Sequence, residues 1–290
     1  MSAGSSRRAK WVLTSPLILF SLVFVVFPVY QGVQASFYEL DLQAPSTPFA
    51  GLQNYWDLFA SAGFAQAARF TVGFAVTVTL LEVLLGLGLA LLMNRTFPGK
   101  KALFTALLVP IMIAPALLGV TFRLLLNGDI GLIPAILDHF GAQVSLFAPD
   151  SVIPLLVVLD VVQWTPFVFL IIYAGLQSFP NEVLEAAQVD GAGPLRTLTR
   201  IVLPILTPVL AVAVFLRFVD AIRTFDVIYV LTAGGPGTKT TTMSIFIYKT
   251  AFESGQFGLA AAASTILMLA LLPLVPFMVN RVSRETGNRS

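Results

Sequence analysis

Six apolar stretches, each long enough to cross a lipid bilayer or nearly so, dominate this chain of 290 residues. A helix needs about 20 mostly apolar residues to span the hydrocarbon core. The stretches are residues 11–30, 70–92, 103–126, 152–176, 201–219 and 257–279. Because backbone polar groups find no partner in hydrocarbon, each stretch must be helical. The sequence therefore predicts an all-α polytopic membrane protein with six transmembrane helices, forming a single transmembrane domain over residues 1–290.

Little of the chain remains for anything else, since 57% of its residues are apolar and 11% are charged. The first stretch follows a basic N-terminus, as a signal peptide does, but its apolar run exceeds the roughly 7 to 15 residues of a signal-peptide core. We expect it to be retained as a helix. Cysteine is absent, which excludes disulfides and thiolate metal sites.

Basic residues gather in alternate connections between the stretches, which predicts the orientation of the chain. They are Arg7, Arg8, Lys10, Arg95, Lys100, Lys101, Arg196, Arg200, Arg281, Arg284 and Arg289. The connections after the first and third stretches are acidic, with no lysine or arginine in residues 37–68 or 127–151. By the positive-inside rule both termini are cytoplasmic, as is the connection after the fourth stretch.

The sequence lacks the usual signs of catalysis. Its one histidine, His139, stands in an outer connection, and no GxSxG or HExxH pattern occurs. The glycine-rich "TAGGPGTKT" is not a Walker A motif, because Thr238 and not glycine precedes Lys239. We therefore predict no catalytic residue, no metal site and no cofactor in this chain, and no enzymatic activity.

The connection over residues 178–204 contains "EAAQVDGAGPLRTLTRIVLP". A short helix over the first part, a reversal at Gly191 and Gly193, and a second helix beginning at Pro194 are predicted, since proline suits a first helical turn. Small side chains at the tip would let another protein approach the backbone closely. The pattern alone fits such a docking element and a plain surface hairpin equally well.

This connection resembles the EAA loop of the permease subunits of bacterial ABC importers. The matching residues are Glu185, Ala186, Ala187, Asp190, Gly191, Ala192, Ile201, Leu203 and Pro204. Four further motifs are similar to the carbohydrate-importing subfamily of maltose-type and glycerol-phosphate-type permeases: "GLQNY", "WTPF", "AGLQSFP" and "FDVIYVLTAGGPG".

The resemblance implies a type I ABC importer permease fold in the bacterial inner membrane. It implies a second homologous permease, an extracytoplasmic solute-binding protein and a cytoplasmic ATPase dimer that holds ATP and Mg, with the lipid bilayer around the chain and no nucleic acid as a partner. Residues 178–204 would be the coupling loop. Its ATPase-coupling residues would be Glu185, Ala186, Ala187, Asp190 and Gly191.

Polar side chains within the spans suggest a solute path. Asp160, Gln163 and Trp164 share one face of the fourth stretch, where a carboxylate, an amide and an indole suit a sugar, although simple helix packing also explains them. Intramembrane ionisable residues are functional candidates by default. Glu82 and Arg123 are further charges at membrane depth, which we expect to be paired with partners that the sequence does not identify.

The fifth stretch ends with charges of alternating sign at Arg217, Asp220, Arg223 and Asp226. Neighbours three residues apart meet across a helical turn, so a structural Asp220–Arg223 pair near an outer gate is expected. Binding of an anionic solute is the other interpretation. The leading functional hypothesis is a permease subunit that imports a sugar or polyol. The alternatives are a glycerol-phosphate-type importer of an anionic solute and a secondary transporter.

Overall fold

The computed structural model describes residues 3–41, 46–141, 145–178, 182, 187, 189–274 and 276. Its α-helices are Ala3–Ser21, Phe27–Ala35, Gln53–Ala60, Ala62–Met93, Lys100–Leu108, Pro115–Leu125, Leu132–His139, Val152–Gln177, Pro194–Thr197, Leu203–Ile222, Asp226–Thr232, Met243–Tyr248 and Phe257–Leu271. Short π-helical turns occupy Leu22–Val26, Leu198–Val202 and Lys249–Glu253, and Pro110–Met112 is a 3₁₀ turn. Two isolated β-bridges are the only extended pairing among these residues, which confirms the all-α class.

Four helical runs within the described ranges are long and apolar enough to cross a membrane, namely Leu13–Ala35, Ala62–Met93, Val152–Gln177 and Pro194–Thr232. A fifth span forms if the bent pair Lys100–Met112 and Pro115–Leu125 is counted as one. The last apolar helix, Phe257–Leu271, has 15 described residues. Several membrane-spanning helices are therefore present, while the count of six stays a prediction.

The third span breaks where the sequence has Pro110 and Pro115. The two helical pieces meet at 97°, and Ile113 between them is extended, with φ −89° and ψ 130°. Proline removes a helical N–H donor and disfavours helical backbone in the residue before it. The sequence predicts a kink here, and the structure shows a complete interruption.

By its internal contacts the chain divides into two compact units. The first consists of residues 1–64 and 246–270. Within it, the buried Asn54 amide donates to the carbonyls of Ser36 and Tyr38 at 2.8 and 3.0 Å. Gly258 lies so close to the Tyr38 carbonyl that an added Cβ would sit 2.2 Å from that oxygen. These bonds fix the turn that follows the first span.

The second unit consists of residues 65–245 and 271–290. Three of its helices position the candidate site: the Glu82 helix (Ala62–Met93), the Asp160 helix (Val152–Gln177) and the Arg217 helix (Leu203–Ile222). Their shared core contains Ala90, Met93, Val168, Phe169, Ile172, Leu176, Val202, Leu206 and Ala213.

Glycine lets these three helices approach closely. A Cβ on Gly86 would lie 3.0 Å from the backbone nitrogen of Phe169, and one on Gly175 would lie 2.8 Å from a methyl group of Val209. Small residues at membrane helix interfaces act in this way, since association there depends on close packing. The close approach brings side chains of all three helices within hydrogen-bonding distance.

Candidate functional site

Arg217 is fully buried, and its guanidinium joins carboxylates from two other helices. Its Nε donates to Glu82 Oε2 at 2.5 Å and its Nη2 to Glu82 Oε1 at 3.0 Å. The same Nη2 also donates to Asp160 Oδ2. Glu82 and Asp160 are 0% and 4% exposed. We call Arg217, Glu82 and Asp160 the buried charge cluster.

Two partly exposed side chains border the buried charge cluster. The remaining guanidinium nitrogen, Nη1, donates to Asp220 Oδ2 at 3.2 Å, and the Asp220 side chain is 48% exposed. The Trp164 ring, half-buried, lies 5.3 Å from Arg217 Cζ, a distance at which cation and ring attract. Part of an indole and a carboxylate are therefore accessible beside a cation that is not.

Polar atoms without partners lie on the same helices. Gln163 is 2% exposed. Its Nε2 reaches the Ile113 carbonyl at 3.5 Å, whereas its Oε1 has no partner among the described residues. Thr79 and Thr165 hydroxyls are likewise buried and unpaired there. Buried polar groups usually have hydrogen-bond partners, so three such atoms without a partner in the described part of the chain are more than helices held by apolar packing alone would need.

The three residues that the sequence predicts as solute contacts have different surroundings in the structure. Asp160 is paired with Arg217, and Gln163 is buried against the break in the third span. Only Trp164 presents accessible surface. The role of the three in solute binding stays a prediction.

The expected Asp220–Arg223 pair does not form. Asp220 pairs with Arg217 instead, the other basic neighbour at the same helical spacing. Arg223 and Asp226 are exposed, and the Arg223 carbonyl accepts from the Ser244 hydroxyl at 3.2 Å. The four alternating charges therefore form one ion pair among the described residues and not a ladder. Arg217 also binds Glu82 and Asp160, two carboxylates far away in sequence that local spacing does not reveal.

Glu82 is the cluster residue that sequence reasoning left unassigned. The available signal was a single carboxylate within a helix of otherwise apolar character, which is costly without a partner. Its partner lies 135 residues away, so no local pattern identifies it. Arg123, the other unassigned charge, donates to the Val230 carbonyl at 3.2 Å.

Part of the predicted coupling loop can be placed. Ala187 is 4% exposed, and its carbonyl accepts from the Ala192 amide at 2.9 Å. Asp190 and Gly191 are exposed, and Gly191 has a φ of 69°. A helix begins at Pro194, as predicted. Glu185 and Ala186 lie outside the described residues.

Comparison with known proteins gives consistent matches. Residues 82–286 match the family described as "Binding-protein-dependent transport system inner membrane component". A trehalose/maltose transport system permease protein of Thermococcus litoralis is 35% identical over 285 residues, covering 96% of each chain.

Two crystal structures of a bacterial ABC transporter for the acidic polysaccharide alginate also match, both at 25% identity. One has a TM-score of 0.83 and covers 97% of this chain and 98% of that chain. The other, a complex with a periplasmic protein that carries an alginate pentasaccharide, has a TM-score of 0.81 and covers 98% of each chain. On these matches, the chain belongs to the family of binding-protein-dependent transport system inner membrane components.

Proposed function

We propose that this chain is a transmembrane permease subunit of an ATP-driven ABC importer that moves a sugar or polyol into the cell. Its family membership supports a transport role, and the Thermococcus litoralis relative is named for two sugars. The alginate transporter imports a polysaccharide. Carbohydrate is therefore the solute class that the comparisons favour.

The remaining parts of the importer belong to other chains. A periplasmic protein accompanies the matched alginate transporter, and we expect a corresponding solute-binding protein here. A second homologous permease and a cytoplasmic ATPase dimer, which would hold ATP and Mg, complete the proposed assembly. This chain then has no enzymatic activity and lies in the cell membrane with both termini cytoplasmic.

The observation that carries the proposal is that Trp164 and Asp220, both partly exposed, border the buried Arg217 and lie in two of the candidate membrane spans. An aromatic face can cover the C–H surface of a sugar ring, and a carboxylate accepts hydrogen bonds from hydroxyl groups. A few placed polar groups among apolar ones are typical of small-molecule sites. We call Trp164 and Asp220 the solute wall.

Asp160 and Gln163 act behind the solute wall in this proposal. Asp160 holds the guanidinium that lies under the Trp164 ring. Gln163 connects the Asp160 helix to the broken third span through the Ile113 carbonyl. Both side chains thus position the wall, and neither forms its surface.

The predicted coupling loop would connect ATP hydrolysis on the partner to this wall. Its exposed tip at Asp190 and Gly191 is available for contact. Gly191 has left-handed backbone that disfavours other residues, and no neighbouring atom lies within 4 Å of an added Cβ. A bulky residue there would disturb the tip without displacing the core of the permease.

We expect Gly191→Trp to abolish ATP-driven sugar uptake in proteoliposomes that contain the assembled importer, and to lower solute-stimulated ATP hydrolysis. Gly99→Trp is the matched control, because Gly99 is also left-handed with nothing within 4 Å and lies in another predicted cytoplasmic connection. The control should keep most of the uptake. Normal uptake by Gly191→Trp, with assembly unchanged, would contradict the coupling role. Uptake without ATP would indicate a secondary transporter.

A further inference from the structure

We propose that the solute wall selects neutral solutes against anionic ones, with Asp220 as the residue that determines this choice. The proposal rests on the proposed function, since it assumes that the solute reaches Trp164 and Asp220. It concerns a property that the comparisons leave open, because the matched proteins include one named for trehalose and maltose and one that imports an acidic polysaccharide.

Four of the five N–H groups of Arg217, the cation beside the wall, donate to carboxylates. Each of the three guanidinium nitrogens of Arg217 donates to a carboxylate, and the side chain is 0% exposed. An arginine that recognises an anion needs free N–H groups directed at it, commonly two in parallel. Arg217 has no such pair to offer.

The accessible charge at the solute wall is negative. One guanidinium faces three carboxyl groups, and the one with substantial exposure belongs to Asp220. Arg223, three residues further along, is exposed but makes no ion pair with the cluster, and Arg123 is engaged with the Val230 carbonyl. Among the carboxyl groups bound to Arg217, the one that a solute beside Trp164 can reach is therefore that of Asp220.

A carboxylate at the solute wall interacts differently with neutral and with anionic solutes. Sugar hydroxyls can donate to Asp220, so a neutral sugar gains a hydrogen bond. A phosphate or carboxylate on the solute would instead face a like charge, which is an effective way to reject a wrong partner.

The test uses the fluorescence of Trp164 to report solute binding at the wall. The chain has three tryptophans, and the other two, Trp11 and Trp56, are 65% and 68% exposed. Full-length protein with Trp11→Phe and Trp56→Phe, in lipid nanodiscs, leaves Trp164 as the only indole. Its fluorescence is followed during titration with maltose, trehalose and trehalose 6-phosphate. We expect a neutral sugar to respond at a concentration roughly tenfold lower than the phosphorylated one.

Asp220→Asn should remove most of that difference. Asparagine can still accept the bond from Arg217 through its amide oxygen, so the cluster stays intact while the accessible charge is lost. Asp129→Asn is the matched control, because Asp129 is an exposed acid on a predicted outer connection and Arg217 pairs elsewhere. The control should keep the preference of the parent protein.

The outcomes separate the two proposals. Equal responses to maltose, trehalose and trehalose 6-phosphate in the parent protein would overturn charge selection while supporting solute contact at Trp164. A preference that survives Asp220→Asn would overturn the role of Asp220. No fluorescence change with any of the three sugars would contradict solute contact at Trp164, and charge selection with it.

Discussion

At the residue scale, Arg217 satisfies two buried carboxylates that come from different helices. Removing one partner of a buried ion pair leaves an uncompensated charge, whereas replacing all partners by neutral groups of similar shape is often tolerated. The buried charge cluster is therefore a set of residues that depend on one another. Its contribution to the stability of the protein can be measured only when its members are changed together.

We expect Arg217→Met to destabilise the protein by roughly 3 to 5 kcal/mol, because Glu82 and Asp160 lose their cation inside the membrane. The triple variant Glu82→Gln, Asp160→Asn, Arg217→Met should recover much of that loss. Thermal unfolding of the detergent-purified variants measures both effects. A single variant as stable as the parent, or a triple variant no better than the single one, would show that the three residues are not energetically coupled.

The sequence predicted some of these residues but not their partners. Asp160 and Trp164 were identifiable because a carboxylate and an indole are unusual in an apolar run. Asp220 has a basic residue three positions away on either side, and local spacing cannot choose between Arg217 and Arg223. In the structure Asp220 pairs with Arg217, and Arg217 also contacts Glu82, 135 residues away, a contact that only the fold brings about.

At the element scale, the close contact of the Glu82 and Asp160 helices depends on a residue without a side chain. Gly86 is buried at that contact, whereas Gly88 on the same helix is exposed with nothing within 4 Å. Sequence alone does not distinguish the two glycines. Their different surroundings make them a matched pair.

We expect Gly86→Leu to force the two helices apart and destabilise the protein by about 1 to 3 kcal/mol, as overpacking does. Gly88→Leu should leave stability nearly unchanged, because its side chain enters open space. The midpoint of thermal unfolding in detergent compares them under identical conditions. Equal midpoints for the two variants would mean that the helices do not pack at Gly86 as described.

Prolines, in contrast, made the elements partly predictable. Pro110 and Pro115 indicated a kink in the third span, and Pro194 indicated the start of a helix, because proline fixes its own backbone whatever surrounds it. How completely the helix is interrupted at Ile113 depends on the side chains that pack beside the interruption. The Gln163 side chain reaches the Ile113 carbonyl there, a contact that no local pattern reveals.

At the scale of the whole molecule, the sequence predicted the class and the family, since apolar length and fixed motifs suffice for both. The orientation in the membrane stays a prediction from charge. It follows from the contrast between basic connections, such as that around Lys101, and acidic ones, such as that around Asp129.

The absence of native cysteine allows a direct test of orientation. Lys101 and Asp129 are both exposed, and we expect Asp129→Cys to react with a membrane-impermeant thiol reagent applied outside right-side-out spheroplasts. Lys101→Cys should react only after the membrane is permeabilised. Labelling of Lys101→Cys in intact spheroplasts would reverse the predicted orientation.

The order of the buried charge cluster along the chain has a mechanical consequence. Asp160 precedes the predicted coupling loop and Arg217 follows it, 57 residues later, so the ion pair joins the two helical arms on either side of that loop. Arms joined in this way cannot slide past each other without breaking a buried ion pair. If the loop couples ATP hydrolysis to transport, we expect its displacement to move both arms together, along with the Glu82 helix that the same cluster joins to them.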